Sequence, residues 1–271
     1  MELRVLCLHG MGVDAEVFAT QTAAFRSLLP ASYKFSFVNA SEFCDPTPGA
    51  AEYFAGPYRC WYTSPTTDKV ARAHEEVRKV IDSHGPFDIV MGFSQGAALA
   101  ASILMQCEID QTPSPFKAAM FICSPLPFSI TTDYGLDCRR YFGVSTSLRL
   151  QKPRPTNVPS YLIPDEYFLQ GEKRNDESAG SASLTQGFAI DGCKNPVFYN
   201  MFHPQIDAVR ISLPTAHLYG AKDSWRRHSL DLADLCLDRL IFEHGGGHEI
   251  SSDASEEICD LFEELAARVM I

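Results

Sequence analysis

Short apolar runs alternate with segments of helical periodicity along almost the whole chain. The apolar runs, each bounded by turn residues, are LRVLCLHG, YKFSFVNA, FDIVMGF, KAAMFIC, AVRISLPTAHLYG and DRLIFEH. Between them lie segments whose apolar residues recur every three or four positions, such as AEVFATQTAAFRSLL and TDKVARAHEEVRKVIDSH. This alternation predicts an α/β fold with a mostly parallel sheet covered by helices on both faces. Ligands of such sheets bind at the carboxyl ends of the strands, so we expect the functional site there.

One long segment interrupts the alternation. Residues 125–205 carry many prolines and the polar stretch GEKRNDESAGSAS. A segment of this length with little periodicity, inserted in a compact fold, is usually a lid or a binding loop. We therefore predict a single domain over residues 1–271 with a cap or lid insertion at about 125–205.

Net charge limits the partners that the protein can bind, and cysteine content indicates its redox compartment. The net charge of -11 leaves no basic stripe that could bind nucleic acid or an anionic membrane surface. The nine cysteines include no Cys-x-x-Cys pair, and several lie in apolar runs, as buried thiols of a reducing compartment do. Met1 leads directly into a predicted strand, and no apolar stretch has the length of a membrane span. The expectation is a cytoplasmic protein without a membrane span.

The stretch DIVMGFSQGAALA places a serine between two glycines, where an apolar strand meets an Ala-rich helix. Gly92-Phe93-Ser94-Gln95-Gly96 matches the G-x-S-x-G elbow, which turns a strand sharply into a helix and presents the serine at the helix N-terminus. The alternative is an ordinary helix N-cap, a role for which serine is also favoured. The flanking strand and helix favour the elbow, so we predict that Ser94 is a catalytic nucleophile.

A serine nucleophile needs a base and an acid that orients the base, in the chain order Ser, Asp or Glu, His. AHLYGAKD predicts a strand followed by Asp223, whose alternative role would be to cap the next helix. LIFEHGGGHEI predicts a strand and a glycine-rich loop that carries His248. His244 is the rival base, but it lies where the strand ends. We favour Ser94, Asp223 and His248 as the catalytic residues.

The first loop allows two interpretations. RVLCLHGMG predicts a buried strand followed by a loop whose Met11 N–H, together with the Gln95 N–H, would form an oxyanion hole. Residues 10–15 also fit the dinucleotide fingerprint G-x-G-x-x-A, with Glu42 as a ribose partner, which would make the protein an NAD(P)-dependent oxidoreductase. We prefer the oxyanion hole, because the fingerprint leaves the serine, aspartate and histidine placements as coincidence.

These motifs together resemble the FSH family of serine hydrolases, which includes ovarian-cancer-gene-2-like proteins and trans-acting thioesterases encoded beside fungal polyketide synthases. The matching segments, spread in order along the chain, are LHGMG at 8–12, GPYRCWY at 56–62, GFSQGAALA at 92–100, YGAKD at 219–223 and GGGHEI at 245–250. The chain departs from the family in a longer region after FICSPLPF and in Glu249-Ile250-Ser251 after the histidine. The resemblance implies an α/β-hydrolase fold with the same triad and oxyanion donors.

The resemblance also implies a substrate, namely a polyketide acyl chain bound as a thioester to the carrier domain of a synthase. A small-molecule carboxylesterase is the alternative. The chemistry of the triad requires no metal and no organic cofactor. We expect substrate contacts from residues near the strand ends: His9, Tyr58, Trp61, Tyr62 and Phe128.

Overall fold

The fold is given by a computed structural model that describes residues 2–47, 49–139, 142 and 197–269. In chain order the strands of these residues are β1 (Leu3–Leu8), β2 (Tyr33–Val38), β3 (Glu42–Phe43), β4 (Arg59–Cys60), β5 (Ile89–Phe93), β6 (Ala118–Ile122), β7 (Leu136–Asp137), β8 (Asn200–Met201), β9 (Thr215–Gly220) and β10 (Arg239–His244).

The helices flank these strands. They are α1 (Ala15–Gln21), α2 (Ala23–Arg26), α3 (Ala50–Tyr53), α4 (Thr67–His84), α5 (Gln95–Asp110), α6 (Arg226–Ala233) and α7 (Ser255–Val269), the last preceded by a 3-10 turn at Ser252–Ala254. Across the described ranges, no helix is both long and apolar enough to cross a lipid bilayer.

Six strands form the central sheet in the order β10-β9-β6-β5-β1-β2, and all neighbouring pairs are parallel. This confirms the predicted α/β fold. From β1 the chain adds β2 on one side and then returns to add β5, β6, β9 and β10 on the other. The direction of winding therefore changes between β1 and β5, and a crevice opens at the carboxyl ends of strands at such a switch point. The loop after β1 and the turn after β5 both lie there.

The sheet separates two apolar cores. Alternate residues of β1 point to opposite faces, so that Leu6 and Leu8 join one core while Val5 and Cys7 join the other. The first core includes apolar residues of α4, α5 and α6, and the second includes residues of α1, α2 and α7. Strands buried on both faces explain why their sequences read as continuous apolar runs rather than as alternating ones.

Two segments differ from the sequence pattern. The segment AEVFATQTAAFRSLL forms two helices instead of one, and the break is at Thr22, whose hydroxyl donates to the Phe18 carbonyl. The run AVRISLPTAHLYG becomes a strand only from Thr215, because Pro214 has no N–H to donate to a ladder. Before it, Ile211 forms a single isolated bridge with Cys236.

The two ends of the predicted insertion meet in the structure. Strand β7 pairs with β8 in antiparallel fashion, and the Phe142 ring stacks on Tyr199 with centroids 4.3 Å apart. Residues 140–141 and 143–196, which make up most of the predicted cap, lie outside the described residues. The cap over the strand ends therefore stays a prediction.

Candidate active site

Ser94 occupies a strained turn between β5 and α5. Its φ of 51° and ψ of -118° lie in a region that residues other than glycine seldom adopt, at a cost of about 1–3 kcal/mol. The Ser94 N–H donates to the Ile122 carbonyl of β6 at 2.8 Å, which holds the turn against the sheet. A Cβ on Gly92 would lie 2.5 Å from the Ala97 nitrogen, and one on Gly96 would lie 2.2 Å from the Leu8 oxygen. The glycines on either side are thus required by close backbone packing.

The predicted triad residues form a continuous chain of hydrogen bonds. The Nε2 atom of His248 lies 2.9 Å from the Ser94 Oγ, and its Nδ1 lies 2.9 and 3.1 Å from the two oxygens of Asp223. An ionised carboxylate can only accept, so Nδ1 carries the proton and Nε2 is left to accept the serine hydroxyl proton. This arrangement can activate an alcohol as a nucleophile.

Asp223 faces the imidazole, and its side chain does not cap the helix that follows. Its side chain is fully buried while that of His248 is 31 % exposed, so the imidazole bridges a buried acid and an open surface. The Asp223 Oδ1 also accepts the Trp225 N–H at 2.8 Å, immediately before α6 begins at Arg226. This bond between neighbouring residues holds the carboxylate that faces the imidazole.

His244, the rival base, lies elsewhere. It is the last residue of β10 and is buried, and its Nδ1 accepts the Gly246 N–H at 3.1 Å. Among the described residues no hydrogen bond joins His244 to Ser94, whereas the loop at 245–247 carries His248 over the strand ends. The Phe93 ring packs beside the His248 ring, with the two centroids 5.2 Å apart. The geometry thus favours His248 as the partner of the serine.

The loop after β1 lies directly against the serine. A Cβ built on Gly10 would be 3.4 Å from the Ser94 Cβ. The backbone N–H groups of Met11 and Gln95 donate to no other residue in the part of the chain that the structure describes. Gln95 is the first residue of α5, where backbone N–H groups lack partners within the helix and can bind a negative charge. Both groups are available to an oxyanion beside Ser94.

His9 holds this loop and does not face a ligand. Its side chain is fully buried, with Nε2 accepting the Ala40 N–H at 3.1 Å and Nδ1 donating to the Gly10 carbonyl at 2.7 Å. Burial lowers the pKa of His9, so the ring is neutral and both nitrogens are used. This corrects the expectation that His9 contacts the substrate, because no atom of its ring is accessible.

The Gln95 side chain joins the elbow to the segment around Trp61. Its Oε1 accepts the Trp61 N–H and its Nε2 donates to the Tyr62 carbonyl, both at 2.8 Å, and the Trp61 indole N–H donates to the His9 carbonyl at 2.9 Å. From the sequence, only the backbone N–H of Gln95 was predicted to have a role. The sequence signal for a side-chain role was a polar residue at the start of an otherwise apolar helix.

Most of the predicted pocket aromatics pack in the core instead. Trp61, Tyr62 and Phe128 expose only 2, 5 and 8 % of their surface, which opposes the expectation that they contact the substrate. Burial, the larger effect, and the nearby Cys60 raise the pKa of the Tyr62 phenol, so it stays protonated. Tyr58 is half-buried and donates from its hydroxyl to the Phe54 carbonyl. Among these four aromatics it remains the candidate for substrate contact.

The geometry of the first loop opposes the dinucleotide interpretation. A Cβ on Gly12 would lie 2.3 Å from the Thr47 nitrogen. The Gly12 N–H donates to the Arg59 carbonyl, and the Gly12 carbonyl accepts the Thr47 N–H. The space that a pyrophosphate would need beside this glycine is filled by the protein's own backbone. The Glu42 carboxylate, the supposed ribose partner, accepts the Thr63 N–H at 2.8 Å and is already engaged.

Similar solved structures support the fold. The structure of Arabidopsis thaliana SOBER1 aligns with a TM-score of 0.52 at 14% identity, covering 98% of this chain and 100% of that one. The monoacylglycerol lipase of Paleococcus ferrophilus aligns with a TM-score of 0.51 at 14% identity, covering 98% of this chain and 94% of the lipase. The fold is that of the α/β-hydrolases.

Sequence relatives are named as esterases. Esterase alnB of Emericella nidulans is 28% identical over 93% of this chain and 92% of its own length. Esterase FPY3 of Fusarium mangiferae is 29% identical over 96% of this chain and 93% of its own length. A family model described as serine hydrolase (FSH1) matches residues 1–257. The chain therefore belongs to the FSH1 family of serine hydrolases and is a hydrolase that acts on esters.

Proposed function

We propose that Ser94, His248 and Asp223 cleave an ester or thioester by way of an acyl-enzyme. The observation that carries this proposal is the unbroken hydrogen-bond chain from the Ser94 hydroxyl, held in a strained turn, through the imidazole to a fully buried carboxylate. A hydroxyl that only capped a helix would need neither the strain nor the imidazole.

The proposed cycle moves one proton through the imidazole. His248 takes the Ser94 proton as the serine oxygen attacks the acyl carbonyl, and the resulting oxyanion accepts the Met11 and Gln95 N–H groups. The imidazolium then gives its proton to the departing alcohol or thiol, which leaves the acyl-enzyme. Water attacks that ester with the same imidazole as base and releases the acid and the free serine. Each oxyanion donor contributes about 3–4 kcal/mol to the barrier reduction.

For the substrate we propose an acyl chain released from a thioester, most specifically a polyketide chain on the carrier domain of a synthase. The support is the resemblance of the five quoted segments to trans-acting thioesterases. The esterase names of the two relatives favour a second candidate, a carboxylesterase of small molecules. Both candidates use the same triad and differ only in what reaches it.

We further propose that the insertion at about 125–205 covers the acyl chain as a lid, and that the protein acts in the cytoplasm. The joined ends of the insertion, where β7 pairs with β8, would give such a lid a fixed base. The eight cysteines of the described residues, all free thiols, suit a reducing compartment.

A chain-length series tests the substrate proposal. Purified protein is incubated with p-nitrophenyl esters of rising acyl length and with matching acyl thioesters of a carrier domain, with Ser94→Ala as the blank. The proposal predicts kcat/KM that rises with chain length and release from the carrier thioester. A preference for the acetyl ester, with the carrier thioester left intact, would instead establish the small-molecule esterase.

A further inference from the structure

Two consecutive residues at the end of β6 connect the parts of the proposed triad. The Ile122 carbonyl accepts the Ser94 N–H at 2.8 Å, and the next residue, Cys123, donates its N–H to β9 at 2.7 Å, the strand that leads to Asp223. The Cys123 sulfur, an Asp223 oxygen and a His248 ring nitrogen all lie within 4.8 Å of one another. The end of this strand is therefore the place where serine, acid and base are brought together.

Cys123 adopts a backbone conformation that a side chain makes unfavourable. Its φ of 49° lies in the left-handed region, which glycine enters freely and β-carbon residues rarely occupy. Its side chain is completely buried. A strained, buried residue with a polarisable S–H group beside a reaction centre calls for a reason beyond packing.

The thiol lies between two hydrogen-bond acceptors. Its sulfur is 3.5 Å from the Glu249 carbonyl, which follows His248, and it also faces the Asp223 carboxylate. Burial, and then the negative charge of Asp223, raise the pKa of the Cys123 thiol well above its ordinary value. The sulfur therefore keeps its proton, and its S–H group is available as a donor.

We propose that Cys123 is a positioning residue, whose S–H group donates to the Glu249 carbonyl and so holds the backbone after His248, beside the Asp223 carboxylate, in the alignment that directs the imidazole at Ser94. This inference rests on the proposed function of the triad. No bond to sulfur forms or breaks, since the thiol acts only by donating a hydrogen bond. Asp223 accepts the Trp225 N–H and the imidazole N–H, and the thiol lies beside these two bonds.

Three substitutions at one position separate this role from packing. Cys123→Ser keeps a donor, Cys123→Ala removes it, and Cys123→Gly removes it while relieving the strained φ. Cys236→Ala serves as the matched control. It deletes another buried thiol, which lies in the turn after α6 and donates to the Leu232 carbonyl. The readouts are kcat and KM on a p-nitrophenyl ester, the thermal midpoint, and the downfield proton resonance of the His248 Nδ1–H.

The inference predicts that Cys123→Ala lowers kcat about tenfold with KM within about twofold, and that it shifts the imidazole resonance. The serine variant should restore both, and the glycine variant should be as slow as alanine while at least as stable as the wild type. The inference is overturned if the alanine variant keeps wild-type kcat and resonance, or if serine is no better than alanine. Either result would refute the role of Cys123 alone. The proposed triad would still stand if the wild type is active and the Ser94→Ala variant is inactive.

Discussion

The indole N–H of Trp61 donates a 2.9 Å hydrogen bond to the carbonyl of His9, 52 residues earlier in the chain. This bond fixes the start of the loop that carries Met11 toward Ser94. The Gln95 side chain holds the Trp61 backbone from the other side, so the elbow and the first loop are tied together through one aromatic residue. The two side chains would therefore position the loop and the elbow that carry the proposed oxyanion donors.

Replacing Trp61 with phenylalanine should loosen that loop. The change keeps an aromatic ring in the core but leaves the buried His9 carbonyl without its donor, at a cost of about 1–3 kcal/mol in the free energy of unfolding. We expect kcat to fall about tenfold, because a displaced Met11 N–H no longer reaches the oxyanion. Steady-state kinetics on folded protein measures this. A wild-type kcat in the variant would show that the loop is held by other contacts.

Replacing Gln95 with alanine should have a similar effect for a different reason. The change leaves the buried Trp61 N–H and Tyr62 carbonyl unpaired, while the backbone N–H of residue 95 stays in place. We expect a loss of about 1–3 kcal/mol in stability and at least a severalfold drop in kcat. Gln106→Ala is the matched control, because this amide lies on the same helix and forms an exposed hydrogen bond with Asp110, away from the elbow. Equal behaviour of the two variants would refute the role given to the Gln95 amide.

Replacing Asp223 with asparagine tests the orienting acid. The amide can still accept the Trp225 N–H, but its NH₂ group would face Nδ1 and favour the wrong imidazole tautomer. We expect kcat to fall by about 10³–10⁴-fold with little change in folding, as for the equivalent change in other triads. Asp234→Asn removes an exposed carboxylate that pairs with Arg239 and should leave kcat unchanged. A loss of less than about tenfold at Asp223 would contradict its assignment.

Buried histidines should make the protein less stable in acid. Burial lowers the pKa of His217 to about 3, whereas a histidine in the unfolded chain has a pKa of about 6.5. Between these values only the unfolded chain takes up the proton, so stability present above about pH 6.5 is lost as the pH falls toward about 3. One such group contributes about 2 kcal/mol of that loss between about pH 7 and about pH 5.

The His217→Phe variant isolates this contribution. Denaturant unfolding of the variant should show a drop in stability between about pH 7 and about pH 5 that is smaller than the wild-type drop by about 2 kcal/mol. Tyr219→Phe, a change on the same strand, should retain the full drop. Identical pH dependence in His217→Phe and wild type would mean that His217 takes up its proton over the same pH range in the folded and unfolded chain, which contradicts the lowered pKa.

Sequence periodicity predicted the sheet well, because strands buried on both faces must be apolar throughout. The parallel pairing follows from alternation with helices, whereas the order of the strands was not predicted. The glycine pattern around Ser94 follows from backbone packing that excludes any Cβ. Short local signals also placed Asp223 and His248 after strands. Their approach to Ser94 is a property of the sheet, since parallel strands present their carboxyl ends at one edge.

The supporting residues were harder to predict, because their roles depend on partners distant in sequence. A buried His9 and a substrate-binding His9 have the same local sequence, and only the Ala40 and Gly10 contacts distinguish them. The aromatic run around Trp61 indicates apolar surface without saying whether a core or a ligand covers it. Cys123 gave no signal, since a thiol in an apolar run is typical of ordinary packing.

The most direct test of the account is labelling by a fluorophosphonate probe, which reacts with an activated serine hydroxyl. Wild type, Ser94→Ala, His248→Ala and His244→Ala are compared at equal folded concentration. The account predicts rapid labelling of wild type and of His244→Ala, none of Ser94→Ala, and severe slowing in His248→Ala. Labelling that survives in Ser94→Ala, or that depends on His244 and not on His248, would contradict it.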